Sequence, residues 1–68
     1  MEEIKLKGEY ITLGQLLKVL GLVYTGGETK IYLAENDVLV NDVKETRRGR
    51  KLYINDVIKV NNTLIKIV

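Results

Sequence analysis

The 68-residue chain has no cysteine, no histidine, no proline, no tryptophan and no phenylalanine. Without cysteine there is neither disulfide nor thiol nucleophile, and a reducing compartment is the natural setting. The lack of histidine as well excludes the common zinc sites and imidazole-based acid–base catalysis. No apolar run approaches the length of a membrane span, and the Met-Glu-Glu start does not resemble a signal peptide, so a cytoplasmic location is expected. Aromatic side chains are limited to Tyr10, Tyr24, Tyr32 and Tyr53. So few platforms argue against reading of single-stranded bases by stacking. No paired-carboxylate motif, repeat or low-complexity tract is present, and one non-catalytic domain over residues 1–68, without metal or cofactor, is expected. A chain of this size buries only about 60% of its unfolded surface, so its core must be well packed.

What is present in excess is positive charge in one place. The formal net charge is only +2, yet Lys44, Arg47, Arg48, Arg50 and Lys51 stand against Glu45 alone, a local sum of +4. The other residues carry six basic and eight acidic side chains, a sum of −2. One segment therefore holds all of the surplus.

Ile4 and Leu6 alternate with Lys5 and Lys7, as in a short edge strand with its lysines in water. Thr12 with Gln15 forms a capping box, and Ile11 and Leu16 are placed for a hydrophobic staple. Leu13, Leu16, Leu17 and Leu20 make one apolar stripe, and Gly21 closes this first helix with Leu22 folding back on Leu17. A second helix opens at Thr25, where Glu28 completes another capping box, and stops at Asn36 in a left-handed conformation. Its expected buried face is Thr29, Tyr32 and Leu33, with the Tyr32 hydroxyl at the rim; Ile31 is left partly exposed. Val38 and Val40 read as a strand, Asn41-Asp42 as a turn, and Leu52 with Ile54 as strand alternation. Asn55-Asp56 is a second turn. Val57, Ile58 and Val60 form a strand, Asn61-Asn62 a hairpin turn, and Leu64 to Val68 a last strand able to pair with the first. The pattern predicts an α+β domain, two helices packed on a small, mainly antiparallel sheet.

The order of these signals resembles the S-four RNA-binding domain, also called the alpha-L RNA-binding motif. The residues that carry the resemblance are Gly21-Leu22, Thr25, Asn36, Val38-Leu39-Val40-Asn41-Asp42 and Leu52-Tyr53-Ile54-Asn55-Asp56, and they cover about residues 10–60. Where that family has glycine, this chain has Asn36, Asp42 and Asn55, each a residue type that tolerates positive φ. Gly26 stands where many members carry arginine. The Thr-Gly-Gly start with the later Arg-Arg-Gly-Arg-Lys-Leu looks like a branch of small stand-alone bacterial members. The resemblance implies a structured RNA, ribosomal or transfer RNA, as partner, and the ribosome or an assembly intermediate as setting.

Two features can hold phosphates. The guanidinium forks of Arg47, Arg48 and Arg50, with Lys51 and Lys44, suit bidentate grips on a nucleic-acid backbone; the alternative is a solvated loop that keeps a small protein soluble. The Thr25-Gly26-Gly27 helix start offers bare amides and the positive end of a dipole, with Lys30 one turn on; the alternative is a flexible loop. Gln15 and Lys18 border the expected groove, and Asn41 completes the candidate set. The expectation is a shape-reading RNA binder whose fold survives replacement of Arg47, Arg48 and Arg50 by alanine. Rival readings are a protein-interaction or ribosome-assembly adaptor, with Ile31 and Ala34 in its contact, and general DNA binding.

Overall fold

The computed structural model describes residues 1–68. In chain order its elements are β1 (Glu2–Ile4), β2 (Ile11–Thr12), α1 (Leu13–Val19), α2 (Gly26–Glu35), β3 (Leu39–Val40), β4 (Val43–Lys44), β5 (Lys51–Leu52), β6 (Val57–Val60) and β7 (Thr63–Ile67). The fold is α+β as expected: two helices on a five-stranded sheet of order β1-β7-β6-β3-β4. Only β1 runs parallel to its neighbour, β7; the other pairings are antiparallel. A separate two-stranded ladder, β2-β5, lies outside that sheet. No helix is long and apolar enough to cross a membrane.

Local chemistry explains the helix boundaries. The Thr12 hydroxyl accepts from the Gln15 amide at 3.2 Å, and the Gln15 side chain accepts from the Thr12 amide at 2.9 Å, the full capping box. At the other end Gly21, with φ +76°, allows the Leu22 amide to reach the Leu17 carbonyl (3.0 Å) and its own amide to reach that of Lys18 (2.9 Å). This is a Schellman motif.

In α2 two expectations need correction. Thr25 caps the Glu28 amide at 3.1 Å, but the returning bond from the Glu28 side chain is not made; that carboxylate stays in water, where the helix dipole already favours it. Asn36 is extended (φ −124°, ψ 149°), not left-handed. Its side-chain amide and its backbone N–H both donate to the Tyr32 carbonyl, at 3.0 and 2.9 Å, so the side chain does the work that a positive φ does elsewhere.

Alternation fixes the sheet's buried face. Ile58 and Val60 of β6 and Ile65 and Ile67 of β7 point inward while Lys59 and Leu64 stay exposed. They pack with Val40, with Leu13, Leu16 and Leu17 of α1, and with Leu33 of α2 in a core of twelve residues. The Tyr32 ring packs against this core, and its hydroxyl is sealed without a hydrogen-bond partner instead of lying at the rim. Ile54 does not continue β5; it is exposed in the turn that follows. Asn41 and Asp42 (φ 50° and 70°) and Asn61 and Asn62 (φ 50° and 63°) make tight hairpin turns with positive φ at both central positions. Asn55, at φ 79°, is left-handed too, so two of the three glycine replacements behave as the residue type allows and Asn36 does not need to.

Because nothing lies within 4 Å of a Cβ built on Gly21, Gly21→Ala isolates the cost of its left-handed backbone. The expected loss in urea unfolding is about 1 kcal/mol. Gly8→Ala, also without neighbours within 4 Å, is expected to stay within about 0.5 kcal/mol of the parent.

Candidate nucleic-acid interface

The one acid inside the basic run organises it. The Glu45 side chain is only 8% exposed and accepts five hydrogen bonds: from the Thr46 and Arg47 amides (3.0 and 3.1 Å), from Nε and Nη2 of Arg47 (3.1 and 3.0 Å), and from Nη1 of Arg50 (2.9 Å). The Arg47 side chain is the main reason that its carboxyl is held down from 4.5 to about 2, with burial opposing and Arg50 assisting. Arg47 and Arg50 are thus not free forks; both are turned onto one carboxylate.

The loop's backbone is fastened to the first helix. Leu13 donates to the Arg50 carbonyl at 2.8 Å and Gly14 to the Arg48 carbonyl at 2.9 Å, and the ladder continues as Thr12 opposite Lys51 and Ile11 opposite Leu52. With the capping box, these bonds satisfy the amides of the first turn of α1. A Cβ on Gly14 would sit 3.3 Å from the Arg48 carbonyl oxygen and 3.4 Å from Cγ2 of Thr29. The missing side chain lets α1, α2 and the loop converge.

Arg48 points the other way, to α2. Its Nη1 donates to the Gly26 carbonyl at 3.0 Å, and a Cβ on Gly26 would lie 2.7 Å from that nitrogen. The bare helix tip and the arginine loop therefore share one side of the molecule. The Gly26 and Gly27 amides make no hydrogen bond within the protein. Beside them opens a cleft of about 280 Å³, formed by Gln15 and Lys18 of α1, Gly26 and Thr29 of α2, and Arg48-Gly49, with no acid and no apolar side chain in its lining. Lys30 is exposed, one turn from Gly26 on the same face of α2.

A second hollow of about 400 Å³ is lined by Arg47, Gly49, Arg50, Lys51 and Tyr53. Here the Lys51 ammonium lies over the Tyr10 ring, 4.8 Å from its centroid, and the Tyr10 and Tyr53 rings are 6.1 Å apart. Tyr10 and Tyr53 thus both stand beside the loop. Two candidates stand apart. Lys44 pairs with Asp37 at 3.1 Å, and Asn41 lines neither hollow. The Asn41 side chain donates to Asp56 (3.1 Å) and accepts from the Val57 amide (2.9 Å), fastening its turn to β6. Glu45, Gly14 and Tyr10 escaped the sequence reading. A glycine in the first turn of a leucine-rich helix and a lone acid in a basic run were the available signals for the first two.

The S4 domain family matches residues 4–68 of the chain. The chain belongs to that family. A curated relative, the probable ribosome maturation protein RlbA of Bacillus subtilis (strain 168), is 49% identical over 57 residues, which are 84% of this chain and 80% of the relative. In this S4 domain the match takes in both helices, the arginine loop and every strand from Leu39 onward.

Glu45 makes acid stability measurable. A carboxyl with a depressed folded-state pKa stabilises fully above its unfolded value and loses that contribution as pH falls through the folded one. Unfolding free energy is therefore expected to decline as pH drops from 4.5 to about 2. In Glu45→Gln that decline is expected to flatten, with a loss of about 2 kcal/mol at neutral pH. Removing Arg47 and Arg50 together takes three of the five hydrogen bonds from the Glu45 carboxylate and is expected to lower stability, whereas Arg48→Ala should stay within about 0.5 kcal/mol. The expectation that all three arginines can go without harm to the fold is revised accordingly.

Proposed function

We propose that this S4 domain is a non-catalytic RNA-binding module that grips the phosphate backbone of a structured RNA, ribosomal or transfer RNA, in the cleft between α1, α2 and the arginine loop. The observation that carries the reading is Arg48 seated on the tip of α2 beside two unbonded amides. A guanidinium at the positive end of a helix dipole is poorly placed by itself and well placed once an anion lies between them. Lys18 adds charge at the cleft, and Lys30 and Lys51 extend it on either side. Arg47 and Arg50 contribute outward-facing N–H groups that their carboxylate partner leaves unused. Thr25 acts as the cap that presents Gly26 and Gly27. Asn41 fastens its turn and Lys44 lines neither hollow, so the two are not counted among the proposed phosphate contacts. The chain's relative in Bacillus subtilis, named as a probable ribosome maturation protein, favours ribosomal RNA or an assembly intermediate, and a cytoplasmic setting, for this bacterial type of domain.

A second reading, an adaptor in ribosome assembly, is favoured by one observation. Glu28, Ile31 and Glu35 edge a hollow of about 400 Å³ on α2, with Ile31 60% exposed. Its acidic rim suits a basic protein segment.

Titration of a structured RNA hairpin, duplex DNA of equal length, an acidic polypeptide and a basic polypeptide at several salt concentrations tests these readings. The hairpin is expected to bind tightest. Lys18→Ala/Arg48→Ala is expected to lower the steepness of log affinity against log salt by about 1.5, two phosphate contacts, with the fold unchanged by circular dichroism. Equal affinity for duplex DNA, or an unaltered slope in the double variant, overturns the proposal.

A further inference from the structure

A groove of about 570 Å³ runs between the extended N-terminal segment and the outer side of α1. Its walls are mostly apolar: Leu6 and Ile11 are half-buried, Tyr10 is 42% exposed and Val19 is 63% exposed. A valine that open on a helix has no packing reason to be there. Three lysines, Lys5, Lys7 and Lys18, also stand in the lining, which holds no acid, and none of them forms an ion pair within the protein.

The groove does not stand alone. Gln15 and Lys18 line both it and the Arg48 cleft, so the two form one continuous surface. Gln15 is held in place by its Oε1, which accepts from the Thr12 amide, and its Nε2 remains an unused donor. The geometry points to an occupant with a flat apolar body, a hydrogen-bond acceptor on its edge and a negative charge at one end. An unpaired nucleobase attached to its phosphate has all three. Lys18 receives the phosphate at the junction, Gln15 donates to the base edge, and Tyr10, Leu6 and Val19 take the ring. A second copy of the chain fits poorly, because it brings the same three lysines to the contact. The inference rests on the proposed RNA reading and deepens it: the RNA recognised is a helix interrupted by an unpaired nucleotide.

The test uses two RNA hairpins of one sequence, one fully paired and one carrying a single 2-aminopurine bulge in its stem. The bulged hairpin is expected to bind at least about fivefold tighter, with a change in 2-aminopurine fluorescence on binding. Val19→Ser and Val19→Asn alter no charge and leave the Lys51–Tyr10 contact in place. Each is expected to bring the two hairpins to within about twofold of each other while the paired hairpin keeps its affinity. Equal binding of both hairpins by the parent protein overturns the groove assignment, as does an equal loss for both in the variants. So does a dimer in sedimentation that Val19→Ser dissociates, which gives the groove to a second copy. Arg48→Ala separates the two proposals: if it weakens both hairpins alike, the phosphate cleft stands whatever becomes of the groove, and if it weakens neither, the phosphate cleft fails.

Discussion

A single buried carboxylate gives the arginine loop its shape. Five cations within eight residues repel one another, and a loop bearing them has every reason to splay into water. Glu45 prevents this by drawing in the Arg47 and Arg50 guanidinium groups and two backbone amides. The local surplus of charge survives, since one acid cannot cancel five bases, but it now has an address. Arg48 is the arginine that Glu45 does not hold, and it is the one laid on α2.

The same loop is part of the helix scaffold. Its carbonyls finish the N-terminal turn of α1, and its side chain at Arg48 reaches the N-terminal turn of α2, so two helix starts meet around one stretch of backbone. Gly14 is the residue that makes the meeting possible, because a loop carbonyl oxygen crowds it, while Gly26 leaves room for the Arg48 guanidinium to lie on the tip of α2. Both glycines lower helix propensity where they stand, by up to about 1 kcal/mol in a helix interior and less in a first turn. The Leu13 and Gly14 amides hold the loop's backbone against α1, which sets where its cationic side chains begin.

How much of this was legible in the sequence follows from the range of each interaction. The Thr12 box, the Gly21 Schellman end and the Asn61-Asn62 turn each involve residues a few positions apart, and local spacing announces them. Gly21-Leu22, Thr25, Asn36 and the Val-Leu-Val-Asn-Asp and Leu-Tyr-Ile-Asn-Asp segments, taken in order, carried the resemblance to the family that the match over residues 4–68 shows. What spacing cannot announce is a partner chosen by the fold. The β2-β5 ladder, the Arg48–Gly26 bond and the Lys51–Tyr10 stack join positions that are far apart in the chain, between elements too short to advertise themselves. Asn36 shows a subtler limit. The residue type is right for a helix end, yet an asparagine can end a helix by its backbone angle or by its side-chain amide, and only the structure tells which.

Arg47 and Arg50 illustrate why counting basic residues misjudges a nucleic-acid surface. A guanidinium bound to a carboxylate keeps its charge and some of its donors, but its direction is set by the carboxylate and not by the phosphate. Such arginines serve as a fixed positive field, felt at distances near the Debye length and weakened by salt. The groups with no internal partner of opposite charge are Arg48, Lys18 and the two glycine amides of α2, and the proposed cleft gives them the contacts at hydrogen-bond range. The division explains how a chain with a net charge of only +2 can present a cleft free of acids. The acids are kept on other faces or, in the case of Glu45, are used up inside the loop itself.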